Sequence, residues 1–169
     1  MQPRPGKVIV GAMQITLFME TAEQTARLAE QIGKVLGPGD CLLLAGPVGA
    51  GKTHFARHLI WSLLHEPEDV PSPTFTLVQT YDTNAGEVWH ADLYRLSLLD
   101  EIEELGLADA MDTAICLIEW PELLGPLTPP DALSLTFQPD PDNINARQIS
   151  LSASGERWKS LPGLLSRES

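Results

Sequence analysis

Apolar and polar positions along the chain follow two different periods, and the changes of period mark out its elements. "MQITLFM" (residues 13–19) alternates as a strand does. Residues 21–36, "TAEQTARLAEQIGKVL", carry apolar positions at helical spacing, with Thr21 as N-cap and Glu23 in the first turn. "GPGD" breaks that helix, and Cys41–Ala45 is a continuous apolar run that reads as a buried strand. Phe55, Ala56, Leu59 and Ile60 then return to helical spacing, predicting a helix from Lys52 to about His65. A proline-punctuated connection, "EPEDVPSP", leads into "TFTLVQTYD" (74–82), which has the composition of a strand. "TNAG" is a turn, and "EVWHADLYRL" a strand running into a short loop. "SLLDEIEELGLADAM" (97–111) predicts one helix with Leu98, Leu99, Ile102, Leu105 and Leu107 toward the core. "AICLIEW" is a buried strand, "ALSLTFQ" and "RQISLSAS" are half-buried strands, and the tail from Gly155 carries one weak helix. Strands alternating with helices, with hairpin-like strands in the middle and at the end, predict an α/β domain with a mixed sheet.

The junction between the second strand and second helix carries the clearest chemistry. Gly46, Gly51, Lys52 and Thr53 in "GPVGAGKT" fit the pattern G-x-x-x-x-G-K-[ST]. Such a loop turns backbone N–H groups inward above a helix N-terminus, a site suited to phosphate oxygens. A chance match in a chain this long is roughly a 1% event or less, given average glycine usage. Here it also falls between a buried strand and a helix, where the chemistry needs it. Lys52, expected on the solvent side, would reach the β- and γ-phosphates, and Thr53 is the expected first magnesium ligand.

Hydrolysis needs a held metal ion and a positioned water as well. An acidic group is expected at the C-terminal end of a buried strand beside the loop strand. Glu119, ending "AICLI", and Asp92, ending "EVWHAD", both qualify, and either carboxylate suits a small hard cation. Ser72 and Thr74 in "SPTFT" read equally as turn caps or as a loop that senses a γ-phosphate. Trp120 follows Glu119 and is read as packing or as flanking the site. His54 and His58 have no third residue at metal-ligand spacing, and "DEIEEL" reads as the solvated face of a helix.

Composition narrows the partners. The 169 residues fit one domain with a single sizeable core, and apolar runs of four to six residues cannot span a membrane. Residues 1–12 lack the apolar stretch of a secretory signal and read as a flexible extension; the domain is placed at 13–155 and a tail at 156–169. Cys41 and Cys116 both lie in apolar strands and read as buried free thiols, in keeping with a reducing cytoplasm. The net charge is −12, and between Arg57 and Arg147 the only Lys or Arg is Arg95 against seventeen Asp and Glu. That excludes the basic footprint of direct, tight nucleic-acid binding and suits docking on a basic protein surface.

"GPVGAGKT", "SPTFTLVQTY", "HADLYRL" and "ICLIEWPE" occur in the order and spacing of one family. Over about residues 16–137 the chain resembles TsaE, small bacterial ATPases required for making threonylcarbamoyl-adenosine in tRNA. The resemblance implies a P-loop NTPase-like three-layer α/β/α domain with a mixed central sheet, and ATP and Mg2+ as ligands. It implies that Val48, Gly49, Ala50, Gly51, Lys52 and Thr53 wrap the phosphates and that Thr53 and Glu119 hold magnesium. Thr74 matches the switch-loop threonine, Asp92 the acid needed for hydrolysis, and Trp120 the tryptophan beside the nucleotide. The segment 21–25 matches the adenine side, where Ala22 offers backbone contact only. The implied partner is the TsaB–TsaD complex, which transfers the threonylcarbamoyl group and is reset by the nucleotide cycle.

Three other readings are distinguishable. A small-molecule kinase clamps migrating phosphates with several arginines, and Arg95 stands alone for ninety residues. A GTP switch lacks its N-K-x-D sequence here. A nucleotide-gated binding module without significant hydrolysis looks the same at this level.

Overall fold

A computed structural model describes residues 12–167, so most of the N-terminal extension assigned to 1–12 lies outside the described residues. The seven strands are β1 (Met13–Met19), β2 (Cys41–Ala45), β3 (Val78–Thr83), β4 (Gly86–Asp92), β5 (Ile115–Glu119), β6 (Leu133–Pro139) and β7 (Arg147–Ala153). They form one sheet in the order β1-β7-β6-β2-β5-β4-β3. The centre, β6-β2-β5-β4, is parallel, while β3, β7 and β1 add antiparallel pairings at the two sides. The mixed α/β sheet predicted from the sequence is the one observed.

The helices are α1 (Ala22–Gly33), α2 (Lys52–Leu63), α3 (Leu99–Glu104), α4 (Leu107–Thr113) and α5 (Leu161–Arg167). Phe55, Leu59 and Ile60 of α2 and Leu28 and Ile32 of α1 pack on one sheet face with Leu42, Leu44 and Leu117. Ile102, Leu107 and Met111 cover the other face with Leu43, Cys116 and Ile118. The three-layer arrangement therefore spans β2, β5 and β4. Across β6, β7 and β1 the apolar positions Leu135, Phe137, Ile149 and Leu151 all join the first face, so that wing has two layers. Cys41 and Cys116 are free, buried and direct neighbours in register, and burial pushes the Cys116 thiol up to about 12.

Three predicted elements end elsewhere. The helix after Lys52 stops at Leu63 because Leu64 turns to an extended conformation and bridges to Thr83. The strand expected over 74–82 begins only at Val78. Pairing with β4 runs out at Val78↔Ala91, and Thr74 to Leu77 close a turn through Leu77 N–H to Pro73 O at 2.7 Å. Leu77 sits at φ 69, a conformation no strand accommodates. The single helix expected over 97–111 is two, because Gly106 adopts φ 80 and ends α3 before α4 begins. Leu98, expected in the core, is exposed.

The segment after Gly155 packs on the core through Trp158, Leu161 and Leu165. Trp158 is 2% exposed and donates its indole N–H to Asp131 O at 2.8 Å. Arg157 grips both Asp40 oxygens, at 2.7 and 2.6 Å, in a bidentate pair. Trp158→Ala is expected to cost about 3–5 kcal/mol of stability by opening a cavity under α5. Urea unfolding measures this; a loss within 1 kcal/mol, roughly that of a surface change, would mean α5 contributes little to the core.

Candidate functional site

The sheet register brings the candidate residues to one end of the parallel strands. β2 ends at Ala45 and the chain passes through the loop 46–51 into α2. Gly46 needs to be glycine: at φ 138, a Cβ there would lie 2.5 Å from Phe137 O. Gly51 caps α2 at φ 105, so the loop enters the helix N-terminus through a left-handed residue. Loop N–H groups and the helix N-terminus together favour an anion.

Glu119 ends β5, the strand beside β2, opposite Leu44 in register. Asp92 ends β4, one strand further out, opposite Glu119. Because side chains alternate along a strand, His90, Asp92 and Glu119 all lie on the face that carries α2. Glu119 is 2% exposed; its Oε1 accepts the Thr53 hydroxyl at 2.8 Å and its Oε2 meets His90 Nε2 at 2.7 Å. An ionised carboxylate is an acceptor only, so His90 donates from Nε2. Thr53 and Glu119 thus set two hard oxygen donors side by side at the foot of the loop. Such a pair fits magnesium, which takes one or two protein oxygens and completes its shell with phosphates and water.

Asp92 makes different contacts. Its Oδ1 accepts Tyr94 N–H at 2.9 Å and its Oδ2 faces the Thr74 hydroxyl at 3.4 Å. Thr74 in turn shares a 2.7 Å hydrogen bond with Ser72. Glu119 and Asp92 are therefore tied to different segments, the first to the opening turn of α2 and the second to the turn 74–77.

Lys52 is not on the solvent side as expected; it is 5% exposed. Its ammonium donates to Gly46 O and Pro47 O within its own loop and lies 3.6 Å from the centre of the Trp120 ring. Burial pulls its pKa below the usual lysine value, against the opposing pull of Glu119, Glu122 and Asp92. Trp120 adopts φ 58, which turns the chain sharply after β5 and lays its ring beneath the ammonium. The ring of Tyr94 tilts against it at 4.7 Å.

These groups line one cleft of about 580 Å³, together with Val48, Gly49 and Gly51. Ala50, also assigned to the loop contacts, is 1% exposed and packs into the core beneath the loop. Ala22 borders the cleft at its far side, and its carbonyl is engaged by His54 Nε2 at 3.1 Å. Beside it the buried Thr25 hydroxyl has no hydrogen-bond partner among the described residues, and such a group gains by meeting a ligand atom.

Four residues of the cleft or its support were not singled out from the sequence: His90, Tyr94, Asn145 and Arg147. Arg147 starts β7 and reaches Gly49 O at 3.5 Å, while its other nitrogen is held by Ile144 O and Ala146 O at 2.7 and 2.8 Å. Alternation along β4 was the available signal for His90, two positions before Asp92. Nothing local marks Arg147, which crosses 98 positions to reach the loop.

A parallel-centred α/β sheet with a glycine-rich strand–loop–helix and acids at the adjoining strand ends defines a P-loop NTPase-like protein. The family model described as "Threonylcarbamoyl adenosine biosynthesis protein TsaE" matches residues 19–149. The chain belongs to the TsaE family. It is 39% identical over 122 residues to the tRNA threonylcarbamoyladenosine biosynthesis protein TsaE of Rickettsia felis, covering 72% of this chain and 71% of that protein. Its Bacillus subtilis counterpart is 34% identical over 146 residues, 86% of this chain and 89% of the relative. A crystal structure of Bacillus subtilis YdiB superposes with a TM-score of 0.72 at 30% identity, covering 93% of this chain and 97% of that one.

Proposed function

We propose that the protein binds ATP with magnesium in this cleft, hydrolyses it, and acts on the TsaB–TsaD complex in threonylcarbamoyl-adenosine modification of tRNA. The observation that carries the reading is the convergence of Lys52, Thr53, Glu119, Asp92 and Thr74 on one cleft in a TsaE-family chain. In it, loop N–H groups orient the phosphates, and Lys52 exchanges its loop carbonyls for the β- and γ-phosphate oxygens. Thr53 and Glu119 would hold the magnesium ion, which when bound neutralises charge on the phosphate oxygens. His90 fixes the rotation of the Glu119 carboxylate. Asp92, tied to the turn 74–77, orients the attacking water. The contacts support this division: Glu119 touches the loop helix and Asp92 does not.

Among the described residues no helix is long and apolar enough to cross a membrane. The acidic chain and its reading as a partner of a protein complex fit action in the cytoplasm, without tight nucleic-acid contact of its own.

The turn 74–77 supplies the switch. Thr74 follows the buried Pro73, which fixes the local backbone, and Leu77 is pinned by its N–H to Pro73 O and its carbonyl to Asp92 N–H at 2.9 Å. A hydroxyl held between Ser72 and Asp92 can transfer to a γ-phosphate-bound arrangement, ordering the turn in one nucleotide state only. ATP therefore favours docking on TsaB–TsaD over ADP, and Thr74→Ala blunts the preference, since a ligand shifts docking only by its differential affinity for the two settings. Partner dissociation constants with a non-hydrolysable ATP analogue, with ADP and without nucleotide test this. Equal values in the wild type would defeat the switch, whatever the hydrolysis rate.

A further inference from the structure

At the mouth of the cleft, the chain exposes three large side chains on two adjoining loops, of which Tyr94 also lines the cleft. Phe75 is 84% exposed, Leu98 61% and Tyr94 60%. Leaving such groups in water is unfavourable unless a partner covers them, and clustered exposed aromatics beside polar surroundings mark interaction sites. Arg95, the one Lys or Arg between Arg57 and Arg147, lies over the Phe75 ring at 5.6 Å, tying the two loops into one patch. α3, which follows Leu98 directly in the chain, carries the exposed acids Asp100, Glu103 and Glu104.

The charge selects the occupant. A chain of net charge −12 with acids in the helix that follows Leu98 repels a second copy of itself, a nucleic acid and an anionic membrane alike. What remains complementary is a protein surface with lysines or arginines surrounding an apolar pocket. Aromatic anchors inside a charged rim are the usual anatomy of such contacts.

The patch is also joined to the cleft. Phe75 directly follows Thr74, so its position depends on the turn that Thr74 holds against Asp92. Tyr94 packs on Trp120, whose ring lies beneath Lys52. We infer that Phe75, Tyr94 and Leu98, together with the α3 acids, are the surface that docks on a basic, apolar-pocketed face of the partner complex. Nucleotide state then reaches the partner through the contact surface itself, with no relay across the domain. The inference rests on the proposed action upon TsaB–TsaD.

The test measures binding of the full chain to purified TsaB–TsaD complex in the presence of a non-hydrolysable ATP analogue. Phe75→Ser and Leu98→Ser are each expected to weaken docking by about tenfold or more. Leu98 is exposed and lies outside both the cleft lining and the turn 74–77, so in Leu98→Ser ATP affinity and thermal unfolding stay at wild-type values. Charge reversal at Glu103→Lys with Glu104→Lys is expected to slow association and flatten its salt dependence. Wild-type docking that both serine variants leave unchanged would overturn the patch alone. Absence of any wild-type docking would overturn the TsaB–TsaD reading and the inference with it. Sedimentation of the free chain supplies the remaining outcome: a dimer abolished by Phe75→Ser would assign the patch to a second copy and overturn the inference.

Discussion

Asp92→Asn is expected to bind ATP within a few-fold of wild type and to hydrolyse it at least about 10²-fold more slowly. Asparagine keeps the size of the side chain and an oxygen for the Tyr94 N–H, so the turn after β4 survives. What it lacks is the negative charge that, in the proposed reaction, would orient a water and accept its proton. Glu119→Gln is expected to behave differently. It removes the charge beside Thr53, so magnesium-dependent ATP binding and hydrolysis fall together, while magnesium-free nucleotide binding changes little. Titrations with and without magnesium, set beside single-turnover rates, separate the two. The reverse pattern would exchange the two roles, and two variants with wild-type behaviour would place the catalytic acid elsewhere.

Lys52→Ala is expected to lower ATP affinity by tens-fold or more, the loss of a charge-assisted contact worth about 1.5–3 kcal/mol. Because Lys52 is buried and donates to Gly46 O and Pro47 O, the substitution is also expected to loosen the loop itself. A thermal melt without nucleotide measures that second effect, and Lys52→Met, which keeps the chain that packs near Trp120, separates packing from charge. Unchanged ATP affinity in both variants would remove the phosphate-loop assignment.

Much of this site was legible because its chemistry is local. The glycine spacing of residues 46–51 answers to backbone conformations that only glycine tolerates, and those leave a trace in the sequence itself. Glu119 was legible because β5 is apolar up to its last position and ends on a carboxylate. Burying a charge at the end of such a strand is costly unless it holds a cation or is hydrogen-bonded. Choosing between Glu119 and Asp92 was not possible at that level. The proposed assignment of the metal to Glu119 rests on strand order, which puts β5 and not β4 against β2.

The remaining differences have the same origin. The strand expected from Thr74 fails because its partner β4 ends first, a fact about pairing that composition does not encode. Gly106 lies inside a convincing helical pattern, and only its left-handed conformation reveals a break. Arg147 belongs to a strand whose place beside the loop follows from the closure of β6 and β7. His90 was within reach of reasoning, since alternation from Asp92 places it on the same face. It went unassigned because a lone histidine in a strand carries no spacing signature.

Single-turnover ATP hydrolysis, measured with and without the TsaB–TsaD complex, bears most directly on the claim that this cleft is a hydrolytic site coupled to a partner. The expected result is stoichiometric ADP formation with magnesium, slow for the free chain, faster with the complex, and lost in Asp92→Asn under both conditions. ATP that binds yet remains intact with and without the complex would contradict it, leaving a nucleotide-gated binding module in place of an ATPase.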